Sequence, residues 1–84
     1  MAKRVNEQVE VSRGEDGKAA FSWRGRRYVV MSVIARWREA LDWWQGGGEL
    51  RGYRVWASDG EREGVFELAR FLPSREWRLV RVLD

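Results

Sequence analysis

The 84-residue sequence contains no cysteine and no histidine. The lack of cysteine excludes a disulfide framework and a thiolate zinc site. Together the two absences remove the most common metal ligands, the most common general base and the cysteine nucleophile. No apolar run approaches the roughly 18 residues of a membrane-spanning helix, and the N-terminus has no signal-peptide core. We therefore expect a soluble cytoplasmic protein that is not an enzyme and that uses no metal and no cofactor.

Lysine is also scarce, because only Lys3 and Lys18 carry that side chain. Arginine therefore provides nearly all of the positive charge in a chain with 16 basic residues, 13 acidic residues and a formal net charge of +3. Arginine pairs bidentately with phosphate and stacks on aromatic rings, which suits nucleic-acid contact. The basic residues are closely interleaved with Glu and Asp, however, as in ordinary surface ion pairs. Charge alone leaves both interpretations open.

Aromatic and β-branched residues are abundant, and the chain is organised around the stretch 21–37. A two-residue loop, either Arg24-Gly25 or Gly25-Arg26, makes this stretch begin with a β-hairpin. Gly25 supplies the positive φ that such a turn needs. Because side chains alternate and paired positions keep their parity, the hairpin places four residues on one face. These residues are Phe21, Trp23, Tyr28 and Val30. We expect them to form a hydrophobic cluster.

Further strands are predicted on both sides of this hairpin. Residues 1–8 are polar and are expected to be a loose N-terminal segment, after which Val9 and Val11 alternate with polar residues in a short strand. Later strands are predicted over residues 50–58, 65–72 and 77–83. In the first of these, Tyr53 and Val55 share one face while Arg54 and Trp56 share the other. The sequence predicts a single all-β domain over residues 1–84, a small antiparallel barrel or strongly bent sheet of five or six strands.

Residues 33–44 fit two periodicities. As a helix they would present one apolar stripe of Val33, Ile34, Trp37, Leu41 and Trp44. As a strand they continue the hairpin arm, which is rich in β-branched and aromatic residues. We predict a strand to about Trp37 and then a helical turn or an ordered loop. The sequence does not decide between these two, so one short helix near residues 38–45 remains an alternative. A run that is apolar at both parities predicts burial on both faces or a bend in the strand.

Several aromatic and arginine-containing motifs stand out along the chain. They are Phe21-x-Trp23-Arg24-Gly25-Arg26-x-Tyr28-x-Val30, Val33-Ile34-x-x-Trp37-Arg38-Glu39-Ala40, Trp43-Trp44, Tyr53-Arg54-Val55 and Trp77-x-Leu79-Val80-Arg81-Val82-x-Asp84. With these motifs, residues 19–84 resemble a small uncharacterised bacterial domain. That domain occurs as a free-standing protein and is similar to the C-terminal tail of catalytically inactive Y-family-polymerase-like proteins of mutagenic DNA repair. The resemblance implies a setting in DNA repair or translesion synthesis, with protein or DNA partners.

Exposed tryptophan and arginine residues predict a non-enzymatic interaction module. Its partner would be another protein or a second copy of the chain, since interface hot spots favour these residue types. An unpaired edge strand at 5–11 or 79–83 would allow pairing with a partner's sheet. The alternative is single-stranded nucleic-acid binding, in which bases stack on aromatic rings and a basic groove follows the backbone. An enzyme is disfavoured because acidic residues such as Asp42 and Glu63 lie in predicted turns without the spacing of a metal or acid–base site.

The residues assigned to these roles fall into two groups. The candidate contact residues for a protein or for single-stranded DNA are Arg24, Arg26, Arg27, Arg36, Arg38, Trp43, Trp44, Arg54 and Trp56. The residues assigned a structural role are Phe21, Trp23, Gly25, Tyr28, Val30, Tyr53 and Val55.

Overall fold

A computed structural model describes residues 2–42 and 46–83. It contains six strands: β1 (Lys3–Arg13), β2 (Ala19–Trp23), β3 (Arg26–Ala40), β4 (Glu49–Ser58), β5 (Glu63–Leu72) and β6 (Glu76–Leu83). Each strand pairs antiparallel with the next, and β1 pairs with β6, so the sheet closes into a ring. This confirms the all-β prediction, with six strands. None of the described segments is a helix long and apolar enough to cross a membrane.

The hairpin between β2 and β3 turns at Arg24-Gly25. Both residues have positive φ, 49° and 77° respectively, which makes this a type I′ turn and excludes the alternative loop Gly25-Arg26. The turn pairs Phe21 with Tyr28 across the two strands. Their rings stack with centroids 5.2 Å apart. The turn therefore sets the register that brings the aromatic cluster onto one face.

The core fills the inside of the ring, where alternate residues of each strand meet. Val55 on β4 lies opposite Phe66 on β5, and Phe66 lies opposite Val82 on β6. Full burial of a large apolar side chain contributes about 1.5–3 kcal/mol. The buried cluster consists of Val9, Phe21, Val55, Ala57, Phe66, Leu68 and Leu79, and its partly buried neighbours include Trp23, Tyr28, Val30 and Tyr53. The four hairpin residues thus belong to this core. Five strands supply it with buried side chains, and the sixth, β3, contributes the partly buried Tyr28 and Val30 at its border.

Strand β3 is bent by two irregularities. Its register against β4 shifts between Val30 and Ser32 and again between Val33 and Ala35. Each shift leaves one residue, Met31 or Ile34, without a partner on β4, and these side chains are 51% and 52% exposed. Because a bulge bends a strand and increases its twist, two of them help β3 to curve around the ring. Of the two explanations offered for the apolar run in β3, burial on both faces or a bend, the structure therefore supports the bend.

Three expectations are corrected. Residues 1–8 are not a loose segment from Lys3 onward, because β1 begins there and its backbone pairs with β6. The same pairing means that residues 5–11 and 79–83 do not form free sheet edges. The region expected to leave the strand near residue 38 stays in β3 to Ala40, since residues 38–40 pair with β4. Residues 43–45 of the expected helical turn lie outside the described residues.

Candidate functional site: an arginine-lined mouth and an exposed outer face

The arginines of the β2–β3 hairpin are largely engaged in ion pairs. The Arg24 guanidinium lies 2.7 Å from a Glu7 carboxylate oxygen, and the Trp23 indole N–H donates to the other oxygen at 2.9 Å. These two donors hold the pKa of Glu7 below its usual value. Arg27 is exposed. The predicted hairpin contact residues thus serve in part to tie the turn to β1.

Arg26 at the start of β3 pairs with Asp59, at 2.8 Å. The carboxylate of Asp59 also accepts hydrogen bonds from the backbone N–H groups of Arg62, at 2.7 Å, and Glu61, at 2.9 Å. These backbone donors, followed by the Arg26 side chain, lower the pKa of Asp59 to about 2. Asp59 therefore organises the β4–β5 loop and joins it to β3.

A row of apolar side chains crosses the outside of the ring. Since Val55 and Phe66 point inward, the next residues on these strands, Trp56 and Val65, point outward, and Val65 lies opposite Leu83 on β6. The Trp56 side chain is 38% exposed, and its indole N–H donates to Glu63 at 2.7 Å. We call Trp56, Val65 and Leu83 the outer apolar row.

An ionic row borders the outer apolar row. Arg54 lies opposite Glu67, and Glu67 lies opposite Arg81. Arg54 donates two hydrogen bonds to one Glu67 oxygen, at 2.9 and 2.7 Å, while Arg81 lies 3.9 Å from the other. The Glu67 side chain is only 9% exposed, although it points outward. The outer face therefore combines an exposed tryptophan with arginines held in place by a buried carboxylate.

A second arginine cluster lies at one end of the barrel. Arg38 on β3 is directly opposite Arg51 on β4, which is directly opposite Arg70 on β5. Like charges in directly opposed positions of a sheet repel one another. Glu49 offsets part of this repulsion, because its carboxylate lies 3.1 Å from Arg51 and 3.9 Å from Arg38. Arg70 has a buried Nε with no hydrogen-bond partner in the described structure, and its guanidinium carbon lies 5.6 Å from the Trp77 ring centroid.

A cavity of about 300 Å³ opens at this end of the barrel. Arg13, Arg36 and Arg70 line it together with Tyr53 and Trp77, whose ring centroids are 5.6 Å apart. The other lining side chains are aliphatic or aromatic, and no carboxylate is among them. We call the arginines at this end of the barrel the arginine mouth: Arg13, Arg36 and Arg70, which line the cavity, and Arg38 and Arg51, which lie in the directly opposed row with Arg70.

A second, outer cavity of about 330 Å³ adjoins the first at Arg36 and Tyr53. Arg38 and Arg51 line it, and the indole of Trp37 lies over Gly52. Gly52 is required here, because a Cβ atom at that position would overlap the indole ring. Arg36, which lines both cavities, thus connects the arginines of one cavity with those of the other.

The predicted contact residues fall into three separate places. The hairpin carries Arg24, Arg26 and Arg27, the mouth carries Arg36 and Arg38, and the outer face carries Arg54 and Trp56. Trp43 and Trp44 lie outside the described residues. Sequence reasoning missed three arginines of the mouth, Arg13, Arg51 and Arg70, and the cavity-lining Trp77. The β4–β5 register that pairs Arg51 with Arg70 follows from the length of the loop after Ser58, so an accurate prediction of that loop would have shown the pair.

These features define a small all-β protein built as a closed six-stranded ring with a basic mouth. The chain belongs to the family described as Domain of unknown function (DUF6504), whose model matches residues 1–84. The family model covers the whole chain, whereas the resemblance seen in the sequence was limited to residues 19–84. Comparisons with curated proteins and with solved structures gave no match. Across residues 2–42 and 46–83, no group of acidic side chains has the arrangement needed to hold a metal ion.

Proposed function

We propose that this protein is a non-enzymatic interaction module that binds a protein partner through its outer face. The observation that supports the proposal is the outer apolar row with the ionic row of Arg54, Glu67 and Arg81 beside it. An apolar centre with a polar, hydrogen-bonded rim is the usual composition of a protein interface. Tryptophan and arginine are also the residue types that most often dominate binding energy. Trp56 would be the central anchor.

The charges around Trp56 favour a protein partner over a nucleic acid at this face. Glu63 accepts a hydrogen bond from the Trp56 indole, and Glu67 lies on the neighbouring row. A phosphate backbone binds where cations outnumber carboxylates, because its affinity depends on releasing counterions. Arg24 and Arg26 are likewise already paired with acidic residues. Single-stranded DNA binding at the outer face or hairpin therefore has less support.

The identity of the partner is a separate part of the proposal. The resemblance to the tail of Y-family-polymerase-like proteins suggests a cytoplasmic protein of DNA repair or translesion synthesis. A second copy of this chain is the other protein partner to test. Because β1 and β6 pair with each other, neither strand is free to pair with a second copy. We therefore propose that two copies would associate through side chains of the outer face.

The test is to compare affinity capture by the native protein, Trp56→Ala and Arg62→Ala. Arg62 is an exposed loop residue and serves as the surface control. We expect a specific protein to be captured by the native chain and by Arg62→Ala but not by Trp56→Ala. That protein is then purified, and its affinity for the three chains is measured directly.

Two further measurements make the result decisive. Sedimentation of the native chain and Trp56→Ala reports whether the partner is a second copy. Thermal unfolding of Trp56→Ala shows whether the variant is folded at the assay temperature. Equal affinity of a purified partner for folded Trp56→Ala and native protein would exclude the outer face as the contact surface.

A further inference from the structure

We propose that the arginine mouth is a binding site for an organic carboxylate whose body is apolar. The carboxylate would pair with Arg70 and Arg36, and the apolar body would occupy the cavity of about 300 Å³. This site is at the end of the barrel, and it does not include the outer apolar row. The inference therefore stands independently of the proposed protein partner.

Uncompensated positive charge is the first observation. Three arginines of the mouth, Arg13, Arg36 and Arg70, line the cavity without a carboxylate among its other lining residues. Glu49 contacts the remaining two, Arg38 and Arg51, which line the adjoining cavity. Arg51 has an arginine directly opposite it on both neighbouring strands. Neighbouring strands are only about 4.8 Å apart, so these side chains share one small region of the surface. An anion bound between them would relieve the repulsion.

The buried nitrogen of Arg70 is the second observation. Its Nε is buried without a hydrogen-bond partner in the described structure. A buried donor that is left unpaired is costly, because it has lost its hydrogen bonds to water. Arginine presents a planar fork of donors that matches the two oxygens of a carboxylate. A ligand carboxylate would supply the missing acceptor.

The walls of the cavity determine what the anion is attached to. Its deeper side is formed by buried apolar residues that include Phe21, Val55 and Leu68, which are 1%, 2% and 4% exposed. Tyr53 and Trp77 add aromatic surface next to the arginines. A volume of about 300 Å³ lies at the lower end of the range for small-molecule pockets.

These walls favour a hydrocarbon or aryl body over a nucleobase. The polar edge of a base placed against them would lose hydrogen bonds to water without replacement. Two sources share the favoured chemistry: a free organic acid, and the C-terminal carboxylate of a polypeptide that ends in an apolar residue.

The experiment is a calorimetric titration with 4-phenylbutyrate and with its neutral amide, 4-phenylbutanamide. The protein forms are native, Arg70→Gln, Arg36→Gln and Arg62→Gln. Arg62 lies in the loop at the opposite end of β4 from the mouth, so its variant is a control for the loss of one charge. We expect the acid to bind native protein and Arg62→Gln equally. We expect roughly tenfold weaker binding to Arg70→Gln and to Arg36→Gln, and roughly tenfold weaker binding of the amide to native protein.

Arg36 is exposed, so its variant tests the site even if the change at Arg70 disturbs folding. Short peptides that end in phenylalanine, with a free or an amidated carboxyl group, distinguish the two sources. Tighter binding of the free-carboxyl peptide than of 4-phenylbutyrate would assign a polypeptide terminus, and binding of 4-phenylbutyrate alone would assign a free acid.

Three results would overturn the inference. The first is equal binding of the acid and the amide, and the second is no binding of either the acid or the free-carboxyl peptide. The third is Arg70-dependent binding of oligothymidylate without binding of the carboxylates, which would instead make the mouth a nucleic-acid site. A Trp56→Ala chain should bind 4-phenylbutyrate normally. The binding of 4-phenylbutyrate therefore does not depend on whether the outer face binds a protein partner.

Discussion

Arg51 on β4 lies directly opposite Arg70 on β5, and Arg70 lines the cavity that opens at this end of the barrel. Opposed like charges destabilise a sheet, and here the repulsion extends to Arg38 on the third strand. Glu49 contacts Arg51 and Arg38, but no ion pair to a described carboxylate joins Arg70. The folded protein thus has a charge arrangement that an added anion would stabilise.

Sulfate should raise the melting temperature of the native protein more than that of Arg70→Gln. A ligand that binds only the folded state at about five times its Kd stabilises it by about 1 kcal/mol. For a domain of this size, that corresponds to a rise of roughly 4–8 °C. Thermal unfolding in sodium sulfate and in sodium chloride of equal ionic strength measures the effect. Because sulfate also strengthens burial in general, the readout is the difference between the two chains. Equal shifts would indicate no specific anion site at Arg70.

Gly52→Ala should destabilise the protein because the added methyl group would overlap the Trp37 indole. Overpacking of this kind costs roughly 1–3 kcal/mol. Gly64→Ala is the matched control, since its Cβ would meet Phe66 at an ordinary 3.5 Å. Urea unfolding of both variants gives the comparison. A Gly52→Ala chain as stable as Gly64→Ala would mean that the Trp37 ring can move away without cost.

Asp59 should make the protein less stable in acid. Its folded pKa is lowered from 3.8 to about 2, so the deprotonated form stabilises the folded state. This contribution is fully present above the unfolded pKa and is lost as the pH falls from about 4 to about 2. Asp59→Asn should be less stable than native protein at pH 7, and the difference should shrink through that window. Melting temperatures measured from pH 7 to pH 2 test this, and a difference that stays constant would contradict it.

Glu67→Gln should destabilise the folded protein even though the change is nearly isosteric. The carboxylate is almost buried and accepts two hydrogen bonds from Arg54. Weakening of a buried, charge-assisted interaction of this kind costs roughly 1–3 kcal/mol. The exposed Glu10 provides the control variant Glu10→Gln. Similar unfolding free energies for the two variants would show that Glu67 contributes little beyond an ordinary surface charge.

Local patterns were sufficient to predict part of this structure. The parity of residues around Gly25 predicted the face shared by Phe21, Trp23, Tyr28 and Val30, because a two-residue turn relates the two strands directly. The alternation around Val55 likewise predicted which residues of β4 face inward and placed Trp56 on the opposite face. Both predictions depend only on the period of two in a strand and on the conformation of one turn.

Other features depend on contacts between distant parts of the chain. Residues 3–8 have a polar sequence typical of a loose terminus, yet backbone pairing with β6 holds them in β1. The bulges at Met31 and Ile34 arise where β3 must curve, so its mixed apolar pattern could not by itself separate strand from helix.

The sequence by itself therefore determined the all-β class, the central hairpin and the absence of cysteine and histidine chemistry. Only the tertiary structure decided that the sheet closes and that Arg13, Arg36, Arg38, Arg51 and Arg70 line two adjoining cavities at one end of it. The physical reason is register: alternation determines the face of each side chain, but the loops and ring closure determine which side chains become neighbours across strands.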